Sequence, residues 1–500
     1  MSESQIHNRV IKTTTIIGGS SAVNVLFRIL QAKAAALLIG PSGVGLLGVY
    51  NSILALASLA AGMGLETSGV RQIAEAMSSG EDERIARSIL AFRRVAFGLG
   101  LLGALLFLAL SPLLSRLTFG DESRAPAIGL LSLALLCLVL ASAQTTLIRG
   151  VRRVGDLART SIFGIALGTL LGLPLLYFFG LSGIAPYLIL TAALTLLVSW
   201  WYARRIPLAP LTLTWRQTWQ EARELLSLGI AFMASGLVTL AVAYLVRVLV
   251  LRQLGLDAAG FYEAASALSN VYIGFILGAM GADYFPHLSS LAKDDPESNR
   301  LMNAQVEVGL LAAAPGILLV LALGPFLLEL LYAREFAAAF EILRWQALGT
   351  FLRIYSWPLA YLLLARGKKT LYFWNELLAN LLYLGALTAL VQWMGLAGIG
   401  IAFLLMYVFY TLAVTLLARR LSGFGWSRPN LTQTALFAPL VLLAFGLTYL
   451  LPPLWMAAAG LLLALLTGLY ALRSLYRLFG PEVFQSYLNR LRARLGWKNA

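Results

Sequence analysis

Long runs of apolar residues, separated by short polar or glycine-containing turns, dominate the chain. Fourteen of these runs are long enough to cross a bilayer, since a helical span needs about 20 mostly apolar residues. Some connections are only a few residues long, as at 40–43, 180–183 and 395–398. The pattern predicts an all-α polytopic membrane protein with about 14 transmembrane helices.

The second half of the chain repeats short segments of the first half at a nearly constant spacing. The matching segments are 39–45 with 254–260, 180–184 with 395–399, 203–205 with 418–420, 63–66 with 280–283 and 149–150 with 366–367. The first three pairs share a spacing of 215, and the last two share 217. Each copy holds six spans, so both have the same orientation, with a pseudo-two-fold axis along the membrane normal. The repeat predicts two parallel six-helix lobes that enclose a central cavity.

These patterns predict five regions. They are an N-lobe of spans 1–6 at 1–205, a cytoplasmic amphipathic linker at 206–225, a C-lobe of spans 7–12 at 226–420, two additional spans at 421–473, and a basic amphipathic cytoplasmic tail at 474–500. The last two spans have no counterpart in the repeat. Tryptophans at helical spacing in the linker favour a helix that lies on the membrane surface.

Composition and charge support this interpretation. Charged residues make up 12% of the chain, against about 25% in soluble domains, so a soluble globular protein is excluded. The net charge of +15 does not require a nucleic-acid partner. With the N-terminus placed in the cytoplasm, 29 Lys and Arg residues fall in cytoplasmic segments and 4 in outer ones, as the positive-inside rule expects. Both termini are therefore predicted to be cytoplasmic.

Candidate chemistry for an enzyme or a cofactor is sparse. Cys137 is the single cysteine, and His7 and His287 are the only histidines, so neither a disulfide nor a histidine metal cluster is expected. Two GxGxxG matches, at 43–48 and 98–103, do not follow strands and are attributed to chance. We expect no catalytic residues, no metal and no cofactor.

Cations inside the predicted spans are the most informative residues. A cation at bilayer depth costs about 2.5–3.5 kcal/mol on insertion scales, so it normally faces a cavity or a partner. The five candidates for binding an anionic headgroup are Arg28, Arg247, Arg353, Lys33 and Arg252. Five polar residues on the same or equivalent helices are candidates for contacting sugar: Asn24, Gln31, Asn51, Ser266 and Asn270. A cavity lined with arginine favours an anion, above all a phosphate.

Simpler roles compete with each of these assignments. Lys33 and Arg252 are close enough to the outer interface to snorkel, and Arg247 has possible partners in Glu263 and Glu376. The asparagines could be interhelical hydrogen-bond links. Glu376 is either a site of ion coupling or a partner of one of the arginines.

Two segments near the N-terminus resemble a known family. The stretch LIGPSGVGLLG at 38–48 and the stretch GMGLETSGVRQIAE at 62–75 are similar to the first loop and the end of the second span of O-antigen translocases (Wzx-type). These are polysaccharide flippases of the multidrug/oligosaccharidyl-lipid/polysaccharide (MOP) superfamily. The resemblance implies a flippase of the bacterial inner membrane, with two six-helix lobes in a V shape and a cationic central cavity. Its substrate would be an undecaprenyl-pyrophosphate-linked oligosaccharide, turned from the cytoplasmic to the periplasmic leaflet.

The expected partners are this lipid-linked substrate, the phospholipid bilayer and other polysaccharide-assembly membrane proteins. Three alternatives remain: a flippase for a lipid II-type peptidoglycan precursor, a MATE-like drug or cation antiporter, and an O-antigen ligase or polymerase. Fourteen spans agree with the lipid II flippase alternative, because the family's lipid II flippases also have fourteen. The antiporter would need carboxylates as the dominant intramembrane charge, and the enzyme would need a sizeable periplasmic loop. An interaction scaffold would leave the intramembrane arginines unexplained.

Overall fold

The computed structural model describes the backbone of residues 3–207 and 210–495, and side chains within 19–480 apart from a few positions. The described chain is helical and contains no strand, which confirms the predicted all-α class. The helices are α1 Glu3–Gly62, α2 Leu65–Ser79, α3 Asp82–Ala109, α4 Ser111–Phe119, α5 Ala125–Gly150, α6 Val154–Phe179, α7 Ile184–Ala203, α8 Trp215–Leu254, α9 Leu256–Ser290, α10 Asp295–Leu331, α11 Ala339–Ala365, α12 Lys369–Met394, α13 Leu396–Ser422, α14 Arg428–Leu450 and α15 Pro453–Leu495.

Twelve stretches within 19–480 are long and apolar enough to cross a membrane. Two of them are far longer than one crossing requires: Gly19–Gly62 has 44 residues and Val154–Ala203 has 50. At about 1.5 Å per residue each exceeds twice the 30 Å hydrocarbon thickness. Each is also interrupted, by a non-helical residue at Gly40 and by a 3-10 turn at Gly180–Gly183. The protein is a multi-pass membrane protein, and the count of 14 spans stays a prediction.

The backbone preserves the internal repeat at its turns. Gly40 has φ 62° and ψ −170°, and its repeat mate Gly255 has φ 88° and ψ −178°. Gly180 has φ 53° and ψ −129°, and its repeat mate Gly395 has φ 56° and ψ −128°. Only glycine adopts such conformations without strain. The two copies therefore share main-chain geometry at positions where few residue types are tolerated.

The turn after the fourth span corrects one detail of the repeat. Arg152 and Gly367 both have positive φ, 58° and 68°, and their positions differ by the shorter of the two repeat spacings. Their flanking hydrogen bonds also correspond, since Val151 N–H donates to the Leu147 carbonyl and Arg366 N–H to the Leu362 carbonyl. The sequence pairing at the longer spacing was therefore wrong in this region, because it matched an Arg-Gly dipeptide instead of the left-handed position.

The contacts divide the chain into two compact units. The first comprises the residues up to Glu263 together with Leu330–Glu335, and the second comprises Ala264–Glu329 and the residues from Phe336 onward. α8 thus packs with the first unit: Leu225 is buried among Leu65 and Phe92 of α2 and α3. The predicted lobe limits at 205 and 226 remain a prediction from the repeat.

The two C-terminal spans form part of the core of the second unit. Phe437 and Val441 of α14 and Ala464 of α15 are buried with residues of α10 such as Leu310. The start of α14 is also tied to α10, because Asn303 accepts from the Ser427 amide at 2.9 Å. The predicted tail at 474–500 is helical to Leu495 on both sides of a kink at Gly480, and the side chains that would make it amphipathic lie outside the described residues.

A local two-fold arrangement joins the two repeat-related turns inside the first unit. The Ser42 hydroxyl hydrogen-bonds the carboxylate of Asp257, its own repeat mate. A Cβ placed on Gly45 would lie 2.3 Å from the Leu256 carbonyl oxygen, and one on Gly260 would lie 2.0 Å from the Pro41 carbonyl oxygen. The two contacts are equivalent under the repeat, because Gly260 is the repeat mate of Gly45 and Leu256 is the repeat mate of Pro41. We call segments 41–48 and 256–263 the axial crossing.

Candidate functional site

A ladder of polar side chains links α9 and α11 within the second unit. Three hydrogen bonds of 3.2 Å form its rungs: Ser266 with Gln346, Ser269 with Thr350, and Asn270 with Arg353. The residues recur at helical spacing on each helix, so one polar stripe faces another. Gln346 and Thr350 are both buried. The ladder therefore forms a polar seam that runs from the buried side chains of Gln346 and Thr350 to the exposed Asn270.

Arg353 stands at the end of this ladder. Its Nη1 donates to Asn270 Oδ1, and its guanidinium carbon lies 6.0 Å from the centre of the Tyr407 ring. Within the described residues, no carboxylate lies within 4 Å of its side-chain nitrogens. The side chain is only half-buried. A membrane-embedded guanidinium that is satisfied by an amide and a π-face retains capacity for an anion.

Glu376 on α12 lies at the opposite end of a tyrosine pair on α13. The Tyr410 hydroxyl donates to its carboxylate. The rings of Tyr407 and Tyr410 are 6.3 Å apart in edge-on geometry. Glu376 therefore has a tyrosine as its hydrogen-bonding partner, in place of the arginine that the sequence offered as one of its options.

We call the connected set the polar track. It consists of Ser266, Asn270, Arg353, Tyr407, Tyr410 and Glu376. It brings together four of the predicted site residues, which come from α9, α11 and α12. The two tyrosines of α13 were missed by the sequence reasoning. Their spacing of three residues on an apolar helix was the available signal, since such residues share a face.

The predicted polar face of α1 packs within the first unit. Asn24 donates to Ser161 of α6 at 2.7 Å, and Gln31 is hydrogen-bonded to the Tyr187 hydroxyl of α7. These two amides thus link helices, one of the roles left open by the sequence. Arg28 lies between them and is exposed, and no hydrogen bond or ion pair engages it in the described part of the chain.

Arg247 is engaged by a carboxylate. Its Nε lies 2.5 Å from Glu263 Oε1 and its Nη2 lies 3.2 Å from Glu263 Oε2, a two-pronged ion pair. Its Nη1 donates to the Ala243 carbonyl at 2.9 Å. Glu263 is also part of the axial crossing, where a Cβ on Gly48 would meet its carboxylate carbon at 2.5 Å. Of the two acidic partners considered for Arg247, the structure has Glu263.

The remaining candidates of the first unit are Arg252, Lys33 and Asn51. Arg252 donates to the carbonyls of Arg116 and Thr118, and so caps the last turn of α4. Because these carbonyls are the negative end of the α4 dipole, Arg252 has a structural role as a capping cation. Lys33 is half-buried, and Asn51 is exposed.

Comparison with known proteins places these features in a family. Residues 35–341 match the family described as "Polysaccharide biosynthesis protein". The lipid III flippases of Escherichia coli (strain K12) and Shigella flexneri are each 24% identical over 410 residues, which is 80% of this chain and 95% of theirs.

Solved structures show the same fold. A multidrug resistance MATE family transporter of the MOP superfamily, in an inward-facing conformation, matches with a TM-score of 0.65 at 15% identity, over 80% of this chain and 96% of its own. The lipid II flippase MurJ, in an inward closed conformation, matches with a TM-score of 0.64 at 13% identity, over 93% of this chain and 99% of its own. The resemblance noted in the sequence is thereby confirmed, and the chain belongs to the polysaccharide biosynthesis protein family, with the fold of MOP-superfamily transporters.

Proposed function

We propose that this protein is a flippase for an anionic lipid-linked oligosaccharide, specifically an undecaprenyl-pyrophosphate-linked repeat unit such as an O-antigen unit. The observation that carries the proposal is the polar track, with Arg353 half-buried in a membrane-spanning helix and without a carboxylate partner in the described chain. A guanidinium in that position is costly unless it meets water or an anion. The names of the related lipid III flippases support the same class of substrate.

The division of labour follows from the chemistry of the groups. Arg353 and the exposed Arg28 are proposed to bind the pyrophosphate, because a guanidinium matches phosphate oxygens with two parallel hydrogen bonds. Lys33 would add charge on the same helix as Arg28. Asn51, Ser266 and Asn270 are proposed to contact hydroxyl groups of the sugar.

The remaining predicted residues can bind the substrate only after they break contacts that they make in this structure. Arg247 could bind the headgroup only when its pairing with Glu263 is broken, and Arg252 only when it leaves the carbonyls of α4. Asn24 and Gln31 would likewise have to exchange an interhelical hydrogen bond for one to sugar. We therefore rank Arg353 and Arg28 above them in the headgroup site.

A polar headgroup needs a hydrated path, since removal of its charges and hydroxyls from water is prohibitive in hydrocarbon. We propose alternating access, in which the headgroup crosses through a cationic cavity while the polyprenyl tail stays in lipid. No covalent chemistry is required. The Lys and Arg distribution supports insertion in the bacterial inner membrane with both termini in the cytoplasm. Other membrane proteins of polysaccharide assembly would supply and accept the substrate.

Glu376 is proposed to couple transport to an ion. It is a half-buried carboxylate on a membrane-spanning helix, and Tyr410 and Tyr407 connect it to Arg353. Binding of a proton at Glu376 would weaken its attraction for the cationic end of the track. The electrostatic potential at Arg353, where an anionic substrate would bind, would then change. This change gives ion binding at Glu376 and substrate binding at Arg353 a physical basis for coupling.

The test is headgroup translocation in proteoliposomes that contain a fluorescent undecaprenyl-pyrophosphate oligosaccharide. We expect the unmodified protein to flip the lipid, and Arg353→Ala and Arg28→Ala to lose most of this activity at unchanged apparent unfolding temperature. Arg300→Ala is the matched control, because Arg300 is an exposed arginine of the second unit that pairs with Glu297. Normal flipping by both folded test variants would place the headgroup site elsewhere.

Competition separates the candidate substrates. Addition of unlabelled lipid II should reduce flipping of the labelled oligosaccharide weakly if the sugar contacts select an O-antigen-like unit. Equal competition would instead favour a peptidoglycan precursor, the substrate named for a structural relative. If neither lipid is flipped while an organic cation is exported, the antiporter alternative replaces the proposal.

A further inference from the structure

Tryptophan and arginine side chains form an exposed surface at one end of the first unit. We call Trp200, Trp201, Arg204, Arg205, Trp215 and Trp219 the Trp/Arg surface. Trp215 and Trp219 open α8 and are 79% and 68% exposed, which is extreme for the two largest apolar side chains of that helix. Trp200 and Trp201, close to the end of α7, are also exposed.

Two consecutive arginines of α3 hold the two parts of this surface in place. Arg93 donates to the carbonyl of Ala203, the last residue of α7, at 3.3 Å. Arg94 donates to the Leu213 carbonyl at 2.8 Å and to the Thr218 hydroxyl at 3.1 Å, and it lies 5.6 Å from the centre of the Trp215 ring. The end of α7 and the start of α8 are therefore fixed to the same turn of α3.

The arginines of the surface are stacked and lack acidic partners. The Arg204 guanidinium lies 3.7 Å from the centre of the Trp201 ring and 4.9 Å from that of Trp200, and Arg205 lies 5.3 Å from Trp201. Neither arginine has a carboxylate within 4 Å among the side chains that are described. Segment 200–220 contains Arg204, Arg205 and Arg216 and not one Asp or Glu.

Stacking determines what such an arginine can still bind. An indole occupies the flat face of a guanidinium, whereas the five N–H groups point outward in its plane. Those N–H groups match the oxygens of a phosphate with two parallel hydrogen bonds. The tryptophans favour the interfacial depth of a bilayer, where lipid phosphates are found. The positive charge, the outward N–H groups and the interfacial depth therefore all favour a lipid phosphate as the ligand.

We propose that the Trp/Arg surface is a binding site for the phosphate headgroup of an anionic phospholipid of the surrounding bilayer, distinct from the transport site. An anionic lipid is favoured over a zwitterionic one, because the surface carries uncompensated positive charge. The attraction of two arginines to an anionic leaflet corresponds to about a thirtyfold difference in apparent affinity. The bound lipid would fasten the end of α7 and the start of α8 to the membrane.

The test is retention of lipid by the full-length protein, measured by native mass spectrometry after titration with phosphatidylglycerol or phosphatidylcholine. We expect preferential retention of phosphatidylglycerol, and at least a tenfold weaker apparent affinity in the double variant Arg204→Gln/Arg205→Gln. The double lysine variant, which keeps charge but loses the planar fork, should fall between the two. Quenching of tryptophan fluorescence by brominated phosphatidylglycerol should fall in parallel.

A matched control carries the same change in charge. Arg71→Gln/Arg87→Gln removes an exposed and a half-buried arginine of the same unit that pair with Glu75 and Glu83, and it should retain phosphatidylglycerol normally. The proposal is overturned if the control loses as much lipid as the test variant, or if the unmodified protein shows no preference for the anionic lipid. It is also overturned if undecaprenyl pyrophosphate displaces the bound lipid at lower concentration, since the surface would then recognise the transported substrate. Flipping by the test variant is measured separately, so failure of this site leaves the proposed function intact.

Discussion

Gly45→Ala tests whether the axial crossing is as close as the structure requires. Gly45 lies in a helix, where replacement of glycine by alanine normally stabilises by about 1 kcal/mol. Here the new methyl group would lie 2.3 Å from the Leu256 carbonyl oxygen and 2.7 Å from the Gly260 amide nitrogen. Both atoms belong to the backbone, so no side-chain rotation can relieve the contact.

The magnitude follows from the displacement that is needed. An ordinary contact begins near 3.4 Å, so the two segments must separate by about 1 Å, and overpacking of this kind costs about 1–3 kcal/mol. After the helix-propensity gain is subtracted, Gly45→Ala should destabilise this arrangement by up to about 2 kcal/mol. Gly260→Ala should behave alike, because its methyl group would meet the Pro41 carbonyl oxygen at 2.0 Å.

The control is Gly98→Ala in α3, where a methyl group would have nothing within 4 Å. Apparent unfolding temperatures in detergent should fall by a few degrees for Gly45→Ala and should stay level or rise for Gly98→Ala. If Gly45→Ala is as stable as the control, the close approach of the two segments is not present in the protein.

Cross-linking tests whether the axial crossing opens during transport. In proteoliposomes, Ser42→Cys/Asp257→Cys in a Cys137→Ser background should form a disulfide. That disulfide should block flipping if the crossing opens during transport.

Four further variants probe other contacts. Glu376→Gln should abolish the dependence of flipping on a proton gradient, and Tyr410→Phe should alter it less; unchanged gradient dependence in Glu376→Gln would remove the carboxylate from ion coupling. Arg252→Gln should lower the unfolding temperature by an amount that corresponds to about 1 kcal/mol, because two carbonyls of α4 lose a charged donor, and an unaltered temperature would contradict the capping role. Hydrogen bonds from Ser123 lower the pKa of the exposed Asp121 carboxyl. The stabilisation that this group contributes is therefore present above its ordinary pKa of 3.8 and is lost as the pH falls through the lowered value. Asp121→Ala should abolish this loss of stability in acid, and a pH profile of stability identical to that of the unmodified protein would refute it.

Positions that depend on a single helix or turn were predictable from sequence. Ser266 and Asn270, two of the predicted site residues, are four residues apart on α9, and both belong to the ladder that meets α11. Spacing along one chain segment fixes which side chains share a face, without any knowledge of the partner helix.

Partners on different helices could not be chosen from sequence. Glu376 had two arginines as candidates, yet Tyr410 is its hydrogen-bonding partner, because the packing of α12 on α13 decides which group comes within reach. Arg247 likewise had two acids to choose from, and the turn between α8 and α9 brings Glu263 to it. The cap made by Arg252 was invisible for another reason: its acceptors are main-chain carbonyls, which every residue carries.

The axial crossing shows what a repeat within one chain permits. In a symmetric homodimer, a residue on the axis would face an identical copy of itself. Two aspartates at 42 and 257 would repel, and two glutamates at 48 and 263 would compete for one space. Once both copies are encoded in one chain, each such position can diverge, and here a hydroxyl donates to a carboxylate and a glycine makes room for one. A single chain that carries both copies can therefore have an asymmetric axis, which a symmetric dimer cannot.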